Sequence, residues 1–133
     1  MLNFIAISIL VINFVWHSLA VELFIFRPKY MMENYLKADF QSKVSIDIIR
    51  FVGGLNTGYV VLALVGIFVS ELRHPGVFMA FAFATLSQFV FDIKAHKEGK
   101  VTSLFNKITY GDGIIGFLNL IFSIVLFFKL LFA

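Results

Sequence analysis

The chain has no cysteine. Disulfides, thiolate metal sites and cysteine nucleophiles are therefore excluded. Charge is scarce: 14% of the 133 residues are Asp, Glu, Lys or Arg, against about a quarter in ordinary soluble domains. No run of Lys and Arg interleaved with aromatics is present, which argues against nucleic acid as a partner despite a net charge of +3. HExxH and phosphate-binding loops are missing, and the histidines His17, His74 and His96 lie far apart in the chain. No metal or cofactor is called for. Met1–Val21 contains no Lys or Arg. Lacking a positive n-region and a small-x-small cleavage site, it reads as a retained helix and not as a signal peptide.

What the chain has in abundance is apolar length. Hydrophobic residues make up 60% of it, and Phe occurs 18 times. Mean hydropathy is +0.94. Four stretches, Leu2–Phe26, Ile46–Ser70, Pro75–Ile93 and Gly113–Phe132, are each long enough to cross a hydrocarbon core about 30 Å thick at roughly 1.5 Å per residue. The expected fold is all-α: one membrane domain over residues 1–133, an antiparallel bundle of four transmembrane helices. Pro28 should end the first helix. Between the first two spans, Met31, Met32, Tyr35, Leu36 and Phe40 recur at helical spacing among polar residues. That pattern fits a short amphipathic helix at the membrane interface. Ser45 suits an N-cap for the second span, and Gly111-Asp112-Gly113 reads as a turn before the fourth.

Threading the spans antiparallel puts both long connections at one end. With the adjoining helix ends they carry Arg27, Lys29, Lys37, Lys43, Arg50, Lys94, Lys97, Lys100 and Lys107. The other end carries Arg73 and Lys129. The positive-inside rule then places the long connections in the cytoplasm and both termini on the outer side.

The same threading gathers Asn13, His17, Glu22, Arg50, Asn56, Gln88, Asp92, Asp112 and Asn119 into the connection half. Asn13 and His17 are four residues apart and share a face, as do Gln88 and Asp92. Asp112, Asn119 and Ser123 form one polar stripe, facing either a cavity or a neighbouring helix. An Arg50–Asp92 ion pair is geometrically reasonable. Gly54 and Gly58 make a small-xxx-small step that admits a close backbone. Spacing leaves a Ser18, His17, Asp92 constellation open. Ionisable groups at membrane depth are costly and favour wet or ligand-bearing interiors over lipid.

The run Arg50-Phe51-Val52-Gly53-Gly54, the short turn His74-Pro75-Gly76 and the polar end of helix three from Asp92 to Gly99 resemble the DoxX-like small four-helix membrane proteins. The outline is also similar to the ergosterol-biosynthesis scaffold family. The resemblance implies a four-helix bundle that binds a lipophilic small molecule, assists another membrane protein or tethers enzymes.

Three functions compete. The favoured one is a non-enzymatic protein whose cytoplasm-facing polar pocket binds a membrane lipid or other amphiphile. Its ligand-binding residues would be Asn13, His17, Arg50, Asn56, Tyr59, Gln88, Asp92, Asp112 and Asn119, with Trp16 and Phe89 as apolar lining. The second is a subunit, assembly factor or scaffold for another membrane protein or a homo-oligomer, docking through Gly54 and Gly58. The third is an enzyme for a lipid-soluble substrate with His17 or Asp92 as acid and base.

Overall fold

The computed structural model describes all 133 residues and is all-α. Five α-helices follow in order: α1 (Leu2–Val21), α2 (Pro28–Tyr35), α3 (Lys43–Phe68), α4 (Pro75–Lys97) and α5 (Asn106–Leu131). A π-helical turn, Glu22–Phe26, extends α1. With their flanking turns, α1, α3, α4 and α5 are each long and apolar enough to cross a membrane. The chain is an integral membrane protein.

Local chemistry sets the element ends. Pro28 offers no N–H and its ring blocks a continuing helix, so the chain loosens into the π turn and restarts with Pro28 at the first position of α2. Ser42 caps α3, its Oγ accepting from the Ser45 N–H at 3.1 Å. The expected Ser45 cap is thus three residues late. His74 caps α4 through Nδ1, which accepts from the Gly76 N–H at 3.2 Å. Lys94, His96 and Lys97 lie in the last turn of α4, where positive charge faces the carbonyl end of the helix dipole. That extends α4 beyond the expected end at Ile93. Gly111-Asp112-Gly113 is not a turn: it lies inside α5, which starts at Asn106.

Contacts between helices fix the antiparallel arrangement. At the terminal end, Arg73 Nη1 donates to Asn3 Oδ1 at 2.6 Å. Its Nε and Nη2 donate to Gly66 O and Ile67 O at 3.1 and 2.6 Å. The start of α1 therefore sits beside the end of α3. Ser123 Oγ donates to Pro75 O at 2.8 Å, holding the later part of α5 against the start of α4. The closest pairings are α1 with α3 and α4 with α5, joined along α1 and α5.

The core occupies the terminal half. Ala6, Ile9, Leu10, Ala63, Phe78, Phe81, Phe122 and Leu126 form one buried cluster. Phe78 and Phe122 meet edge to face at 4.8 Å. Outside, Phe4, Phe51, Phe68, Phe83, Phe91 and Ile114 are exposed. Such a surface suits hydrocarbon and would be a liability in water.

At the opposite end the two connections are clamped to each other. Lys37 N–H donates to Lys100 O at 3.0 Å, and Thr102 N–H to Tyr35 O at 2.9 Å, around an isolated Leu36–Val101 bridge. A second apolar cluster, Met31, Val101 and Phe105, lies beneath. The expected interfacial helix is thus shorter than its apolar pattern, ending at Tyr35, and α2 sits on the second connection as part of a cap. Burial within this cap raises the Tyr35 phenol above its usual range, helped by Tyr30. On the cap's surface a hydrogen bond from Lys100 holds the Glu98 carboxyl below the usual range.

Candidate functional site

Between the core and the cap the four long helices diverge around a cavity of about 440 Å³. Each contributes wall. Trp16, His17, Leu19, Ala20, Glu22, Leu23 and Phe24 come from α1 and its π turn. Val52, Leu55, Asn56 and Tyr59 come from α3, Ala84, Thr85 and Gln88 from α4, and Lys107, Ile108 and Asp112 from α5. The volume falls in the range of about 300–1,000 Å³ found for small-molecule sites. Most of the wall is apolar, with a few polar atoms.

The polar atoms divide sharply by whether they have partners. Asn13 and Asn119 are fully buried and bond only within the protein. Asn13 Nδ2 donates to Asn119 Oδ1 at 2.9 Å, Asn119 Nδ2 donates back to Asn13 Oδ1 at 3.0 Å, and each amide also donates to a carbonyl one turn earlier. This pair locks α1 to α5 and stands outside the cavity lining. The expectation of two ligand-binding amides is corrected on that point: at their depth α1 and α5 touch, and two amides with complementary donors and acceptors satisfy each other. The stripe of Asp112, Asn119 and Ser123 does face inward, but its members bond to other helices: Asp112 and Asn119 to Trp16 and Asn13 of α1, and Ser123 to Pro75 of α4.

Arg50 is exposed and lies outside the cavity, and the Arg50–Asp92 pair does not form. Asp92 instead accepts from Gln88 Nε2 at 2.7 Å through Oδ1, while Oδ2 has no donor. Its carboxyl group faces that of Asp112. Asp92 is buried behind Gln88 and is not itself lining. Asp112 does line the cavity, its Oδ1 accepting from Trp16 Nε1 at 2.8 Å. A Cβ at Gly111 would run into the Trp16 indole, so only glycine lets that ring lie across α5. Phe89 belongs to a shallow groove on the outer face of α4 and α5, away from the cavity.

His17, Asn56 and Tyr59 converge as a unit. Asn56 Nδ2 donates to Val52 O at 2.9 Å, which turns its Oδ1 toward His17 Nδ1, 2.6 Å away. Tyr59 stacks on the imidazole at 5.0 Å, and Phe81 tilts against it at 5.7 Å. The imidazole hydrogen-bonds to Asn56 and not to Ser18 or Asp92, so no nucleophile–base pair forms here. Its Nε2 is buried without a partner.

Sequence reasoning missed several members. Leu19, Ala20, Ala84 and Ile108 line the cavity but carry no polar pattern to set them apart, and Lys107, also in the lining, reads in the sequence only as a topology charge. Glu22 sits at the wall with its carboxylate paired to Arg27 at 2.8 Å. No group of three or more His, Asp or Glu side chains is placed to hold a metal. Compared with protein-family models, with curated proteins and with solved structures, the chain matches none.

Proposed function

We propose that the protein is a non-catalytic membrane protein that holds an amphiphilic or lipophilic small molecule in the four-helix cavity. The observation that carries this is a largely apolar chamber of about 440 Å³ to which all four spans contribute wall, with the polar side chains of His17, Asn56, Tyr59, Thr85, Gln88 and Asp112 among its lining. Glu22 and Lys107 put charge in the wall for the wetter end of a ligand. By the Lys and Arg distribution, the cavity end faces the cytoplasm. Membership of the DoxX-like group belongs to the same proposal and rests on the opening of α3, the short turn before α4 and the polar end of α4.

Native mass spectrometry of the gently extracted protein tests it. The wild type should carry a lipid-sized adduct that Ala84→Phe, which fills the cavity, loses while staying folded. Equal adducts on both would reject the cavity as the site.

A second reading, docking to another membrane helix, is favoured by one observation. A Cβ at Gly54 or Gly58 would meet no atom within 4 Å, so this small-residue step of α3 is open. Because the chain lacks cysteine, a single Cys at Gly58 reports directly. Disulfide dimers or partner crosslinks in native membranes would support docking, and unreacted monomer would remove it.

A further inference from the structure

We propose that Asp92 and Asp112 together bind one proton, shared between their side chains at neutral pH, and so give the protein a proton-binding site at membrane depth.

Helix packing brings the two together. α4 and α5 run antiparallel, and their contacts fix the register. A Cβ at Gly116 would strike Thr85 and Leu86, one at Gly113 would strike the Phe89 ring, and His96 Nε2 lies 3.2 Å from Thr109 Oγ1. Asp92 falls between Phe89 and His96 on α4, and Asp112 between Thr109 and Gly113 on α5, so the carboxyls meet across the helix interface. Both are buried, Asp92 at 2% and Asp112 at 5% exposure.

Each carboxyl has one oxygen held by a neighbour. Gln88 Nε2 donates to Asp92 Oδ1 at 2.7 Å, and Trp16 Nε1 donates to Asp112 Oδ1 at 2.8 Å. Asp92 Oδ2 is sealed from water and has no donor. Charge from elsewhere does not compensate it. The ion pairs of the chain are Arg27–Glu22, Lys94–Glu98 and Lys100–Glu98, and neither aspartate joins one. The other titratable groups nearby are His96 on α4, Lys107 on α5, His17 and Glu22 from α1 and its π turn, and Tyr59 on α3. Of these, Lys107 is exposed, His17 bonds to Asn56 and Glu22 is taken by Arg27. Two like charges at one buried, unpaired site strongly disfavour joint ionisation. One proton between the pair removes a charge and supplies the missing hydrogen bond at Oδ2. A metal ion fits poorly, because no third acidic or histidine ligand joins the pair and hard cations take about six or more oxygens.

The pair is connected in both directions. Thr109 and the half-buried His96 stand between it and the cap, and Asp112 lines the cavity. Release of the proton adds a negative charge to the cavity wall, and uptake removes it.

Infrared spectroscopy of the full chain in lipid nanodiscs, with and without 13C in the aspartate carboxyls, counts protonated aspartates. Wild type should show one at neutral pH, with the exposed Asp39 and Asp47 ionised. Asp92→Asn and Asp112→Asn keep the size and replace a carboxyl by an amide donor. In each, the remaining carboxyl should hold its proton at least about tenfold more weakly than the pair does, having lost a like charge and gained a donor. Trp16 reads the same event, since it donates to Asp112 and is the only tryptophan. Its fluorescence should titrate with the infrared band in wild type and at lower pH in Asp92→Asn.

No protonated aspartate at neutral pH, or two, would overturn the shared proton. So would a protonated band unchanged in either Asn variant, which marks a lone neutral acid. Loss of the band on adding sodium or magnesium at constant pH would overturn it in favour of a cation. The wild-type titration decides even where a variant does not fold.

Discussion

The two halves of this bundle use the same four helices in opposite ways. In the terminal half, Leu10, Phe78, Phe81 and Ala63 have essentially no exposed surface, and Arg73 ties the ends of α1 and α3 together. In the connection half the helices part around a cavity, and closure is left to the clamped connections below it. The reciprocal amides of Asn13 and Asn119 mark the boundary. Packing and cavity are thus separated along the bundle: one half is filled with side chains, while the other keeps an open space.

The sharpest way to break this comparison is to remove volume from each half. Phe78→Ala should cost about 3–5 kcal/mol, the range for a buried aromatic. Leu23→Ala, which enlarges an existing cavity, should cost much less. Denaturation of the two variants in the same mixed micelles measures the difference, and equal losses would erase the distinction between the halves.

Glycines sharpen it next. Gly111→Ala should cost about 1–3 kcal/mol through overpacking against Trp16. Gly54→Ala meets nothing, and it should be neutral or gain up to about 1 kcal/mol of helix propensity. The same denaturation assay ranks them.

At the boundary, Asn13→Leu strands the Asn119 amide and should destabilise by about 1–2 kcal/mol. Asn13→Leu with Asn119→Leu should recover part of that loss, because no unpaired amide remains. A double variant no better than the single would mean that the amides do not act as a pair.

The smallest effect lies in the cap. Glu98 titrates low because of Lys100, so its contribution is present above the ordinary carboxylate range and lost as pH falls through its depressed value. Carbon NMR should show its carboxyl titrating low in wild type and higher in Lys100→Ala. Unchanged titration would show that the cap ion pair does not persist in solution.

Much of this architecture is legible in the sequence, and the reasons are specific. The four spans follow from hydropathy, since a span must be apolar along its whole length. The inward stripe of Asp112, Asn119 and Ser123 follows from helical periodicity. What periodicity cannot supply is the partner across the helix interface. It gives no means of telling that Asn119 meets Asn13 while Asp112 meets Trp16. Neighbouring positions also differ by about 100° around a helix. Gly53 therefore packs tightly on Ile25 and Phe24 while Gly54 faces open space, although both read alike in the chain. Arg73 counts as a topology signal in sequence but caps carbonyls in the fold. The early start of α5 was hidden by Gly111 and Gly113, whose turn-like character gives way to close packing on Trp16 and Phe89.

Trp16 is the only tryptophan, and it lines the cavity, so its fluorescence is the most direct witness to an occupied chamber. A brominated long-chain alcohol added to the protein in nanodiscs should quench Trp16 saturably, at one molecule per chain, with competition by the unbrominated alcohol and loss of the saturable phase in Ala84→Phe. Quenching that rises linearly with the quencher in the bilayer, alike in wild type and Ala84→Phe, would show that Trp16 senses only surrounding lipid and would contradict a ligand cavity among these four helices.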